Sequence, residues 1–145
     1  MHKNYNDICG VILTGGRSSR MGGGVKSLKK FNNKMIFDRI FENLKTQVNK
    51  IIINSNDSKN LFIKYNVKIV KDSYAGFLGP LAGIHASLEW ITSNHKHINW
   101  LVTVPGDTPF IPLNLVEKLI EKANDNYKIV LAQSNQKTHP IIGIW

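Results

Sequence analysis

Short apolar runs alternate with segments of helical spacing along this chain, and that alternation dictates its architecture. Ile8-Cys9-Gly10-Val11-Ile12-Leu13 reads as a first strand, because an unbroken apolar run suits a strand covered on both faces. Met35 to Leu44 sets Ile36, Ile40, Leu44 and Val48 on one stripe, as in an amphipathic helix. Lys50-Ile51-Ile52-Ile53-Asn54 is β-branched and predicts strand two. A short helix is expected over Ser58–Tyr65, entered through Asp57-Ser58, and Val67-Lys68-Ile69-Val70 alternates like a strand near an edge. Pro80 favours the first turn of a helix running from Leu81 to about Ser93. Trp100-Leu101-Val102-Thr103-Val104 is strand four, Leu113 to Ala123 is a helix introduced by Pro112, and Lys128 to Ala132 is strand five. Ile141 to Trp145 begins a further extended segment.

Strands alternating with helices predict an α/β fold, a Rossmann-like doubly wound and mostly parallel sheet in three αβα layers. The 145 residues make one domain with a real core. Such sheets bind ligands outside the carboxyl ends of their strands. Polar punctuation collects at those ends. Strand two runs into Asn54-Ser55-Asn56-Asp57, strand three into Asp72-Ser73, and strand four into Pro105-Gly106-Asp107-Thr108-Pro109.

Strand one runs into Thr14-Gly15-Gly16-Arg17-Ser18-Ser19-Arg20-Met21-Gly22-Gly23-Gly24-Val25-Lys26. Glycine suits sharp turns and close approach rather than core building. Backbone N–H groups in such a stretch can form an anion-binding concavity, to which the arginines and lysine add charge-assisted bonds. A plain basic surface loop is the alternative. The stretch is not a P-loop, because Val25 rather than glycine precedes Lys26, and it lacks Gly-x-Gly-x-x-Gly.

The net charge of +9 raises a nucleic-acid reading. Lysine is spread over every segment, however, and the one dense cluster (Arg17, Arg20, Lys26, Lys29, Lys30, Lys34) surrounds the glycines without interleaved aromatics. A small polyanion such as a triphosphate is expected there, not nucleic acid. Cys9 is alone and cannot form an internal disulfide. No apolar run reaches the ~20 residues of a membrane span, and the first residues are too polar for a signal peptide, so a cytoplasmic location is expected and no membrane contact.

Asp107 is the sharpest single candidate. A lone carboxylate held between Pro105-Gly106 and Thr108-Pro109 at a strand's end suits Mg²⁺, which takes few protein carboxylates together with phosphates and water. A turn aspartate bonding its own backbone is the ordinary alternative. Asn54 and Asp72 share its strand-end position, and an aspartate can accept two N–H groups from a guanine. Gly79 and Gly83 would let a helix start close to a ligand, or serve only as helix entry. His85 is expected to be packed or bonded rather than a ligand, and His95 and His97 to be solvated. His139-Pro140 either touches a second substrate or starts a strand.

The pattern Leu13-x-Gly15-Gly16-x-x-x-Arg20-Met21-Gly22-Gly23-x-x-Lys26 resembles the N-terminal signature of nucleotidyltransferases, and most of all that of the molybdenum cofactor guanylyltransferases. Ile51 to Asn56, Lys71-Asp72-Ser73 with Gly79-Pro80-Leu81-Ala82-Gly83, Pro105 to Pro112, and His139-Pro140 are similar to later elements of that family, in the same order. The resemblance implies that Leu13, Thr14, Gly15, Gly16 and Lys26 hold GTP, that Asn54, Asp72, Gly79 and Gly83 shape the guanosine site, and that Asp107 binds Mg²⁺. Arg20, Lys26 and Asp107 would be the catalytic residues. The implied reaction is attack by the terminal phosphate of a molybdopterin-type substrate on the α-phosphorus of GTP, releasing pyrophosphate. Cytidylyl transfer to the same pterin, a sugar-phosphate nucleotidyltransferase, or a non-catalytic nucleotide-binding fragment are the alternatives. Transient contact with proteins that supply or accept the cofactor is also implied. Two departures stand out: Val25 replaces an aspartate, and Asn32-Asn33-Lys34-Met35-Ile36 replaces Asn-Gly-Lys-Pro-Leu. Related chains continue beyond the length of this one, so a domain incomplete at its C-terminus, with an exposed sheet edge and poor activity, is expected.

Overall fold

The computed structural model describes residues 5–15, 28–57, 61–76 and 79–145. Its elements are β1 (Ile8–Leu13), β2 (Lys30–Phe31), β3 (Lys34–Met35), α1 (Ile36–Lys45), β4 (Lys50–Asn54), β5 (Lys68–Val70), α2 (Pro80–Asn94), β6 (Trp100–Pro105), α3 (Leu115–Ile120), β7 (Val130–Ser134) and β8 (Lys137–Ile144). Six strands form one sheet in the order β5-β4-β1-β6-β8-β7. The pairings β5–β4, β4–β1 and β1–β6 are parallel, whereas β8 runs antiparallel to both β6 and β7. The sheet is thus mostly parallel.

Why β1 is apolar throughout is now plain. Ile8 and Ile12 point into a core shared with Phe37, Ile40 and Leu44 of α1 and Leu115, Val116 and Leu119 of α3. Cys9, Val11 and Leu13 point the other way, into a core with Ile84, Ala86 and Ile91 of α2. The two-residue period of a strand splits the run between both faces. A Cβ on Gly10 would lie 2.8 Å from Leu44 Cδ2, so this glycine lets α1 approach β1 closely. Cys9 is fully buried, and burial outweighs the opposing effect of Lys50 to push its thiol up to about 12.

Several boundaries differ from the sequence reading. Among the described residues of the expected 58–65 helix there is only a 3₁₀ turn at Ile63–Tyr65, with 58–60 outside the described residues. The helix expected over Leu113–Ala123 shortens to Leu115–Ile120, because Leu113 is 77 % exposed and the turn before Leu115 closes onto the Pro112 carbonyl. Strand five begins at Val130, not Lys128, and pairs with a β8 that starts at Lys137, not Ile141. Asn135 (φ 48°) and Gln136 (φ 62°) make the two-residue left-handed turn between them, a conformation whose strand twist suits a tight hairpin. Pro140 is tolerated because the β7–β8 register is interrupted between Leu131 and Ala132. β8 lies between β6 and β7, so the sheet's edges are β5 and β7 rather than the last strand. Asn32 (φ 49°) and Asn33 (φ 61°) make the left-handed β2–β3 turn, a conformation that asparagine tolerates better than most residues.

Candidate functional site

The carboxyl ends of β5, β4, β1 and β6 lie side by side, because Leu13 pairs with Asn54 on one flank and Pro105 on the other, and Asn54 with Val70. Backbone and side chain stitch this edge together. The Thr14 N–H and Oγ1 both donate to the Asn54 carbonyl, at 3.0 and 2.7 Å, and the Gly106 N–H donates to the Leu13 carbonyl at 2.8 Å.

Asn54 is the hub. Its side chain is buried, and Nδ2 donates to the Val70 carbonyl (3.2 Å) and to Asp72 Oδ1 (2.9 Å). Asn56 completes the arrangement: its Nδ2 donates to Asp72 Oδ2 (2.9 Å) while its Oδ1 accepts from the Asp72 N–H (2.8 Å). Each oxygen of the Asp72 carboxylate therefore receives one amide hydrogen, which fixes the group rigidly. From the other side α2 presses on the same amide. A Cβ on Gly83 would sit 2.2 Å from Asn54 Oδ1, so only glycine fits there. α2 starts at this edge because Gly79 adopts φ 81° and Pro80 follows at the first helical position. Its N-terminal N–H groups bring the positive end of the helix dipole to the strand ends.

The structure thus brings together Thr14, Gly15, Asn54, Asp72, Gly79 and Gly83. Leu13 joins them through its backbone alone, its side chain being buried in the α2-side core. Asp107 ends β6 on the far side of β1 from Asp72, exposed and without a hydrogen-bonding partner among the described residues. Three strand spacings separate the two carboxylates along the edge, roughly 14 Å. Among the described residues no three His, Cys, Asp or Glu side chains cluster. Gly16, Arg20 and Lys26 lie outside the described residues.

Sequence reasoning did not nominate Asn56, although Asn-x-Asn at a strand end was the available signal: alternate residues on one strand face the same side. It expects His85 to be packed or bonded, and the second holds. The imidazole is half exposed, pairs with Glu89 at 3.4 Å and has its ring 5.5 Å from that of Tyr74. Beside Asp107 opens a cleft of 820 Å³ walled by Phe110, Ile111, Leu115, Leu131 and Ile142. His139 lines it and holds Ser134 Oγ at 2.6 Å, inside β8 rather than before it.

Comparison with known proteins gives this edge its context. The MobA-like NTP transferase domain matches residues 10–145. The chain is 36% identical over 137 residues to a molybdenum cofactor guanylyltransferase of Nitrobacter hamburgensis, covering 94% of this chain and 66% of that protein. It is 37% identical over 140 residues to one of Mesorhizobium japonicum, covering 96% and 67%. It therefore spans about two thirds of the length of these relatives. Among solved structures, the molybdopterin-guanine dinucleotide biosynthesis protein A of Archaeoglobus fulgidus shares the fold, with a TM-score of 0.69 at 22% identity over 95% of this chain and 66% of that one.

Proposed function

The chain belongs to the MobA-like NTP transferase family, and on that footing we propose that it transfers GMP from GTP to the terminal phosphate of molybdopterin, with release of pyrophosphate. The observation that carries this reading is the Asn54–Asp72–Asn56 lock on the same edge as the exposed carboxylate of Asp107. A carboxylate has about four lone-pair sites. Two amide hydrogens occupy part of that capacity at Asp72, and the remainder suits the adjacent N1–H and N2–H donors of guanine. Cytosine offers no such adjacent pair, which favours GTP over CTP.

Thr14, Gly15, Gly16 and Lys26 would then take the phosphates, with Gly79, Gly83 and the start of α2 closing the nucleoside end. Arg20 and Lys26 supply positive charge to the triphosphate. Transfer of this kind asks the protein for positioning and charge stabilisation more than for covalent chemistry. The Asp107 carboxylate fits Mg²⁺, since a single exposed acid leaves most coordination positions to phosphate oxygens and water. Bound there, the ion would neutralise charge on the reacting phosphates. The same reading sets the reaction in the cytoplasm and allows brief contact with proteins that deliver or receive the pterin. No helix among the described residues is long and apolar enough to cross a membrane.

Pyrophosphate release tests the proposal. With Mg²⁺ and molybdopterin, GTP is expected to yield pyrophosphate and CTP to yield little. Equal rates with CTP would overturn the assignment of the base, and release from neither nucleotide would overturn the reaction.

A further inference from the structure

We propose that the opposite, amino end of the sheet carries a second anion site, in which Lys50, Lys68, His95 and His97 receive a compact oligophosphate of the size of inorganic pyrophosphate. The four side chains converge from separate parts of the fold. Lys50 opens β4, Lys68 opens the neighbouring β5, His95 caps α2, and His97 lies in the loop leading to β6. They line a concavity of 530 Å³ together with Asn49 and Asn66, and among the described residues no carboxylate lines it.

Charge and geometry both point to an anion. Gathering cationic groups without a counter-charge is unfavourable in the empty protein and focuses a positive potential in the hollow. Desolvation first, and then the charges of Lys50 and His97, hold the His95 imidazole below the usual histidine range. The aromatic surroundings order the donors. The His95 ring stands 4.9 Å from Trp90 and 5.9 Å edge-on from His97, and Lys68 Nζ lies 5.9 Å from the Trp90 ring. Lysine ammonium groups, protonated imidazoles and asparagine amides are all donors suited to phosphate oxygens. The concavity is open to solvent but compact, unlike the extended stripe of cations that tracks a nucleic-acid backbone. It also lies a full strand away from the Asn54–Asp72 edge, roughly 13 Å along β4. The inference is therefore independent of the guanylyl-transfer reading.

The test is a titration of the whole chain with inorganic pyrophosphate, following the Cε1–H resonances of His95 and His97, assigned with His95→Gln and His97→Gln. Both resonances are expected to shift saturably, and the His95 pKa to rise on saturation as the anion favours the imidazolium. Lys68→Gln, at an exposed position, is expected to weaken binding by about tenfold or more with unchanged thermal melting. Lys26→Ala is expected to leave these shifts in place. Four results would overturn the proposal: no shift while pyrophosphate binds elsewhere, wild-type affinity in Lys68→Gln, the same shift with chloride at equal ionic strength, or preference for an acidic peptide over pyrophosphate.

Discussion

At the scale of single residues the site is built by exclusion as much as by bonding. Gly83 has no side chain because the Asn54 amide occupies that volume, and Asn54 is held there to orient Asp72. Gly83→Ala should therefore displace Asn54, costing about 1–3 kcal/mol in thermal or urea unfolding, and weaken GTP binding beyond what that loss explains. Retention of wild-type GTP affinity would separate the glycine from the nucleotide. Asp107 predicts the converse. Exposed and without partners among the described residues, its Asp107→Asn variant should unfold within about 0.5 kcal/mol of the wild type. Its turnover should fall by about a hundredfold or more, the scale of several kcal/mol expected for a metal-binding group. Stability and turnover falling together would make Asp107 a structural turn residue.

At the scale of elements, two polar ties decide which pieces stay together. Thr103 is buried in β6, donates to the Ile141 carbonyl at 2.8 Å and accepts from Trp145 Nε1 at 3.0 Å, so it fastens β8 into the sheet. Thr103→Val should cost about 1–3 kcal/mol for each group left unsatisfied, read as a lower denaturant midpoint. Asp38 ties α1 to the 3₁₀ turn, accepting from Tyr65 Oη at 2.5 Å and from Lys64 Nζ at 3.0 Å. Desolvation, the largest single influence, pushes the Asp38 carboxyl up, but the bonds from Tyr65 and Lys64 and the charges of Lys64 and Lys34 together hold it below the usual range. Its stabilisation is thus present above the ordinary carboxylate pKa and is lost as pH falls through the lowered value. Asp38→Asn should lower stability near neutrality, change little at acid pH, and so flatten the acid limb of a stability–pH curve. The same two ties mark the limits of legibility. β1, β4 and β6 could be read directly, because strands covered on both faces are apolar at every position. The β7–β8 hairpin could not, because Lys137-Thr138-His139-Pro140 is polar and ends in proline, and its turn carries Gln136 where glycine is the familiar signal. The 3₁₀ turn likewise depends on aromatic packing of Tyr65 against Phe37, which no local periodicity encodes.

At the scale of the molecule, one topological rule carried the site. Parallel strands deliver their carboxyl ends to one edge, so Asn54, Asp72 and Asp107 were nominated together from position alone. What position could not supply was their coupling: the Asn54–Gly83 contact and the part of Asn56 arise only when α2 folds back over β4 and β5. On the proposed reading the sheet's edge presents a rigid nucleoside end at Asp72 and, roughly three strand spacings away, the exposed carboxylate of Asp107. The central claim is that GMP passes across this edge from GTP to a pterin phosphate. Incubating the chain with Mg²⁺, molybdopterin and GTP labelled at its α-phosphorus tests it most directly. The account predicts that the label moves into the pterin product, and that Asp72→Ala and Asp107→Asn both abolish the transfer. Label that remains in GTP, or that appears only in free GMP, would contradict it.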